Sequence, residues 1–122
     1  MVNLLDVELK TSNEFAVVLV SSLDKNEGLK GAKRILITCI ARAQNTDMQF
    51  NQDHTQLLDV GKAPILLEPV EVSLVLKNKK KCKLYVLNHS GIRTGKEVPV
   101  NGGRFLLNGS INKTIYYELV KQ

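Results

Sequence analysis

The sequence predicts an all-β fold, an antiparallel sandwich of about eight to ten strands. Three observations carry that expectation. Short apolar runs rich in Val, Ile and Leu alternate with polar residues at period two. Turn formers recur between the runs, as in Asn88-His89-Ser90-Gly91, Asn101-Gly102-Gly103 and Asn108-Gly109-Ser110. No stretch carries the capping and periodicity of a convincing helix.

The elements follow in order. From Asn3 to Lys10, Leu5, Val7 and Leu9 alternate with Asp6, Glu8 and Lys10, which predicts a first strand. Thr11-Ser12-Asn13 turns the chain. Phe15 to Val20 is continuously apolar and β-branched, so it reads as a strand buried on both faces. Ser21 to Gly28 is a loop. Lys33 to Ala43 could line a helix, but Ile35, Ile37, Thr38 and Ile40 are β-branched and no cap precedes them, so strand is the reading.

Asn45 to Asp53 places oxygen-bearing side chains at every second position: Asn45, Asp47, Gln49, Asn51 and Asp53. An extended chain would set them on one face. Gly61-Lys62-Ala63-Pro64 is the sharpest turn signal, and Ile65-Leu66-Leu67 reads as a second buried strand ending near Pro69. Val70, Val72, Leu74 and Leu76 then Cys82, Leu84 and Val86 form two alternating runs. The lysine-rich segment between them predicts a hairpin. Val98 and Val100, Phe105 to Leu107, and Thr114 to Val120 complete the set. Ile115, Tyr117 and Leu119 share a face in the last of these.

A chain of 122 residues is expected to form one domain, spanning residues 1–122. At that length roughly two thirds of the unfolded surface is buried, so the core needs no staples. The two cysteines, Cys39 and Cys82, lie in apolar runs and read as reduced core residues. No segment approaches the roughly 18 apolar residues of a membrane span, and no signal peptide is visible.

The net charge is +5. Five lysines, Lys77, Lys79, Lys80, Lys81 and Lys83, fall within seven residues and account for it. No recognition motif or arginine cluster accompanies them, so nucleic acid is not expected. A solvated turn explains the block, with polyanion binding as the functional alternative.

Catalysis finds no constellation. His54 and His89 lie apart in polar turns, and no serine has a nucleophile-elbow setting. The run Gly91 to Glu97 is one residue short of a phosphate loop and lacks the hydroxyl residue after lysine. Glu68 and Glu71 could pair, but Glu71 is expected to face water opposite Val70 and Val72. The oxygen series follows the spacing of calcium loops. An EF-hand would need Gly at 50 and Glu at 56, where this chain has Phe50 and Gln56, so Asp47 and Asp53 remain only candidate calcium ligands of another geometry. No cofactor is expected.

Sugar binding on a sandwich uses exposed aromatic rings beside amides and carboxylates. The chain has no Trp. Phe15, Phe105 and Tyr117 fall on expected buried faces, leaving Tyr85, Tyr116 and Phe50. Asn88, Asn108 and Asn112 head glycosylation patterns that turn chemistry explains equally well.

Several pieces taken in order resemble a known family. They are Phe15 to Asp24, Lys33 to Thr38, Ala41 to Met48, Asp59 to Pro64, Leu67 to Val70, Val86-Leu87-Asn88 before Gly91-Ile92-Arg93, and Ile115 to Leu119. The series resembles the C-terminal β-sandwich domain of large bacterial glycoside hydrolases whose catalytic domain is a (β/α)-barrel, and it covers Phe15 to Leu119. The family's closing strand often carries Trp before Tyr, where this chain has Tyr116 before Tyr117. The resemblance implies a jelly-roll or immunoglobulin-like sandwich excised from a larger, secreted or cell-surface enzyme. It implies no catalytic residue in this chain and a barrel of the same parent chain as partner. The rival expectation is an autonomous carbohydrate-binding module that holds a polysaccharide through Asn45, Asp47, Gln49, Phe50, Asn51 and Tyr85. A basic interaction domain working through Lys77 to Lys83 is a third class.

Overall fold

The computed structural model describes residues 2–3, 7–77 and 81–122. Its strands are β1 (Val2–Asn3), β2 (Val7–Thr11), β3 (Val17–Ser22), β4 (Arg34–Ile40), β5 (Ala43–Thr46), β6 (Gln49–Phe50), β7 (Leu57–Asp59), β8 (Lys62–Leu67), β9 (Glu71–Leu76), β10 (Cys82–Leu87), β11 (Arg93–Val98), β12 (Arg104–Asn108) and β13 (Tyr116–Lys121). One short helix, α1 (Gly109–Asn112), sits between β12 and β13. The all-β expectation holds, and no described helix is long and apolar enough to cross a membrane.

Two antiparallel sheets carry the fold. The smaller has the order β1-β2-β9-β12 and the larger β11-β10-β13-β4-β3. Alternation along each strand decides what is buried. Val72, Leu74 and Leu76 of β9 point inward, with Phe105 and Leu107 of β12 on the same face. Ile35 and Ile37 of β4, Leu84 and Val86 of β10 and Tyr117 and Leu119 of β13 answer from the larger sheet, and all join one apolar cluster. Burying each such leucine or isoleucine stabilises the fold by roughly 1.5–3 kcal/mol.

The lysine-rich segment is not a hairpin turn. β9 pairs with β2 and β12, whereas β10 pairs with β11 and β13. Both runs have an apolar inner face, and each meets the other across the core instead of along a shared edge. The chain therefore changes sheets between Leu76 and Cys82. Asn78, Lys79 and Lys80, within that connection, lie outside the described residues, as do Leu5 and Asp6 of the expected first strand.

Phe15 to Val20 is not buried on both faces. The strand starts at Val17, runs to Ser22 and forms the edge of the larger sheet. Val18 and Val20 pack on the core, but Phe15, Val17 and Leu19 are 56%, 42% and 53% exposed. An edge strand with one covered face needs only every second residue apolar, and among the described residues nothing covers its outer aliphatics. The expected turn after Leu107 becomes one helical turn. The Asn108 side chain accepts a hydrogen bond from Ser110 N–H at its start, and Lys113 closes it at φ 55°.

Neither Cys39 nor Cys82 is in a disulfide; Cys39 is buried and Cys82 half-buried. Burial pushes the Cys39 thiol up to about 12.

Candidate functional site

The segment from Ala43 to Leu67 leaves the sandwich as an arm. β5 pairs with β8 antiparallel, and β6 pairs with β7 beyond them. The arm begins where β4 leaves the larger sheet and ends where β9 enters the smaller one. Glu68 N–H donates to Arg42 C=O at 2.8 Å and closes its root.

Ile65-Leu66-Leu67 is a strand, as expected, but it is not buried. Every residue of β8 is exposed, Ile65 at 65%. Leu57 and Leu58 of β7 and Val60 just after it are exposed too. The turn signal at Gly61 to Pro64 narrows to Gly61 at φ 72°, and β8 already starts at Lys62. A Cβ at Gly61 would lie 2.3 Å from the Thr46 carbonyl oxygen and 2.7 Å from the Met48 nitrogen, so this corner requires glycine.

The oxygen series does not share one extended face. Asp47 adopts φ 60°, which breaks the chain between β5 and β6. Period two needs an unbroken strand, and a left-handed residue resets which way the next side chains point. Asn45 donates from Nδ2 to Val60 C=O at 2.9 Å. Asp47 lies 3.4 Å from Lys62 Nζ on the surface. Gln49 is exposed in β6, and Asp53 is exposed in the tip turn. Asn51 builds that turn, its Oδ1 accepting from Thr55 N–H at 2.9 Å and Gln56 N–H at 3.1 Å. Among the described residues no group of three or more His, Cys, Asp or Glu could hold a metal ion.

The tip turn brings Phe50 against His54, with ring centroids 5.2 Å apart and planes 34° to one another. His54 adopts φ 56° and donates its N–H to Asn51 C=O at 3.1 Å. This pair lines a cleft of about 810 Å³ between the arm and the sandwich, together with Ala43, Leu66 and Leu67. Gln44, Glu14, Arg42 and Glu68 line it as well. Arg42 Nη2 donates to Glu14 Oε2 at 2.6 Å, and Arg42 Nε lies 3.8 Å from Glu68 Oε2. The Glu14 hydrogen bond, then the Glu68 and Glu14 charges, push the guanidinium still higher than usual. Asn13 Nδ2 donates to Glu68 Oε1 at 3.3 Å, and Asn13 Oδ1 accepts from Glu71 N–H at 3.0 Å. Glu68 is thus tied into an ion-pair row, while Glu71 is exposed on β9, so the two carboxylates do not pair.

Tyr85 lies elsewhere. It sits on the outer face of the larger sheet, directly opposite Glu118 of β13. The Arg93 guanidinium stacks 4.0 Å over its ring. Glu118 is the feature that sequence reasoning missed. Its side chain is 5% exposed, and it accepts from Arg34 Nε at 2.8 Å on Oε2 and from Arg93 Nε at 2.8 Å on Oε1. Burial alone would raise its pKa. The hydrogen bonds and charges of Arg34 and Arg93 outweigh burial and hold the carboxyl below its usual range. A Glu between Tyr and Leu in an alternating strand is an outward position, and nothing in the local pattern reveals two arginines converging on it.

Phe50 and Asn51 therefore belong to the arm's tip, and Asn45 and Asp47 to its stem. Tyr85 belongs to the sandwich's outer face. Phe15 is exposed, so the expectation that it joins the core fails. Comparison of the chain with family models, curated proteins and solved structures gives no match.

Proposed function

We propose that this chain is a non-catalytic accessory β-sandwich of a polysaccharide-degrading glycoside hydrolase, which packs against the enzyme's catalytic (β/α)-barrel. The reading starts from the resemblance of Phe15 to Leu119 to such domains. The observation that carries it further is the arm. A strand of this composition is normally covered, yet all of β8 is exposed, and Leu58 and Val60 beside it are 59% and 62% exposed. Exposed aliphatics gathered on one projecting element mark a surface for a protein partner. Backbone pairing within the arm satisfies β8 on one side and holds its side chains ready for a second body.

The test uses the complete reading frame. It should encode a (β/α)-barrel on the N-terminal side of this sequence. Barrel and sandwich, produced separately, should associate in calorimetric titration. Leu58→Asp combined with Ile65→Asp should weaken that association at least tenfold without moving the sandwich's urea midpoint. A frame without a barrel overturns the reading, and so does association indifferent to the arm.

An autonomous carbohydrate-binding module is the second reading, favoured by the ring pair of Phe50 and His54 at the cleft. The Lys77 to Lys83 block remains a candidate polyanion contact. A fall in polyanion affinity with rising salt, with weaker and less salt-dependent binding in Lys81→Glu combined with Lys83→Glu, would support that third class.

A further inference from the structure

The cleft between the arm and the sandwich has apolar and polar lining. Ala43, Leu66, Leu67 and the Phe50–His54 ring pair supply the first. The row Glu14, Arg42 and Glu68, with Gln44, supplies the second. A pyranose has the matching division. Its axial C–H groups form an apolar patch that stacks on rings, and its equatorial hydroxyls form a polar edge. Adjacent hydroxyls can donate to a carboxylate and accept from a planar guanidinium fork at once.

Glu68 and His54 are tethered before any ligand arrives, while the Glu14–Arg42 pair lies in water, 85% and 57% exposed. Arg42 is held by Glu14 and faces Glu68. Glu68 is held by Asn13, whose Nδ2 also donates to Pro69 C=O at 2.9 Å and whose Oδ1 accepts from Thr11 Oγ1 at 3.1 Å. His54 is fixed by the turn that Asn51 builds. Preorganisation of this kind reduces the ordering lost on binding. A volume of about 810 Å³ lies within the range of small-molecule sites, roughly 300–1,000 Å³.

Charge narrows the ligand. The row has two carboxylates for one guanidinium, and both carboxylates already face Arg42. An acidic sugar would bring a further negative charge to a cluster that is net negative. We propose that this cleft binds one neutral pyranose residue of a polysaccharide, stacked on Phe50 and His54 and hydrogen-bonded by Glu14, Arg42, Gln44 and Glu68. The proposal rests on the accessory-domain reading for its polysaccharide setting; its site is the cleft, which shares Leu66 and Leu67 with the apolar arm surface but not Leu58 or Ile65.

The test is amide-resolved NMR titration of the chain with oligosaccharides of glucose, mannose, xylose and galactose, and with oligogalacturonate and alginate oligomers. The expected result is saturable shifts for one or more neutral sugars at residues 42–44, 50–54 and 66–68. Phe50→Ala and Arg42→Gln should each weaken binding tenfold or more. His54→Ala, at an exposed position, supplies the same test if Phe50→Ala disorders the tip. The absence of saturable binding to every neutral sugar overturns the proposal. So do shifts clustered around Tyr85 instead, or tighter binding of the acidic oligomers. Sugar binding lost while barrel association persists fails the cleft alone. Barrel association lost while sugar binding persists fails the accessory reading alone.

Discussion

Replacing Glu118 by glutamine keeps the side-chain shape and removes one buried charge. In the wild-type chain the carboxylate accepts from Arg34 through Nε and Nη2 and from Arg93 through Nε. A hydrogen bond to a charged group is worth about 1.5–3 kcal/mol, and breaking a fully buried pair costs about 3–5 kcal/mol. Both arginines are half in water, at 56% and 50% side-chain exposure, so solvent recovers part of each loss. The glutamine amide must also turn its N–H₂ toward one guanidinium, setting donor against donor. The expected destabilisation is about 2–3 kcal/mol, which corresponds to a fall of roughly 8–12 °C in Tm for a domain of this size. Urea unfolding at pH 7 measures it, with an unchanged slope showing that the unfolded state is comparable. The pH dependence gives a second reading. The native carboxyl is held below its unfolded range, so its contribution is complete above that range and declines as pH falls through the lowered native value. The gap between wild type and Glu118→Gln should be flat from about pH 6 to 8 and shrink below about pH 4. A gap under about 0.5 kcal/mol at pH 7, or one that persists undiminished to pH 3, would refute the ion-pair account.

Three further outcomes follow from particular contacts. Leu74→Ala, at a position with no exposure in the centre of β9, should cost about 2–5 kcal/mol by urea unfolding. Gly61→Ala should raise hydrogen exchange across residues 43–67 while leaving exchange in β4, β10 and β13 unchanged, because its Cβ would strike the backbone at Thr46 and Met48 inside the arm. In native protein at pH 8 a thiol reagent should modify Cys82 much faster than Cys39, whose thiol burial pushes up to about 12, and both should react equally in denaturant.

Much of the fold could be read from residue patterns, and the misreadings have a common origin. Alternation located β9, β10, β12 and β13 and named their inward faces, because period two is a property of the chain alone. Pairing is not. β9 and β10 look like the two sides of a hairpin, and only the competing edges of β12 and β13 send them to different sheets. Exposure of Phe15, Leu19 and Ile65 was equally hidden, since an apolar run reports that a surface wants covering and not which body covers it. Within the site, Phe50 was visible as an aromatic in a polar stretch. Its companions Arg42 and Glu14 were not, being 28 residues apart and joined only by the fold. Glu118 was the hardest case, with partners 84 residues before it and 25 residues before it.

The arm's root has an evolutionary consequence. The strands that flank it, β4 and β9, belong to different sheets, yet the chain is joined between them at Arg42 and Glu68 by a backbone hydrogen bond and a side-chain pair. The sandwich therefore closes on itself beneath the arm, and the apolar cluster draws nothing from residues 43–67. Substitutions and length changes above that clasp are insulated from the stability of the layers below. A lineage can retune the arm's tip or replace the whole arm as a cassette, with selection on contact surfaces acting almost independently of selection on folding.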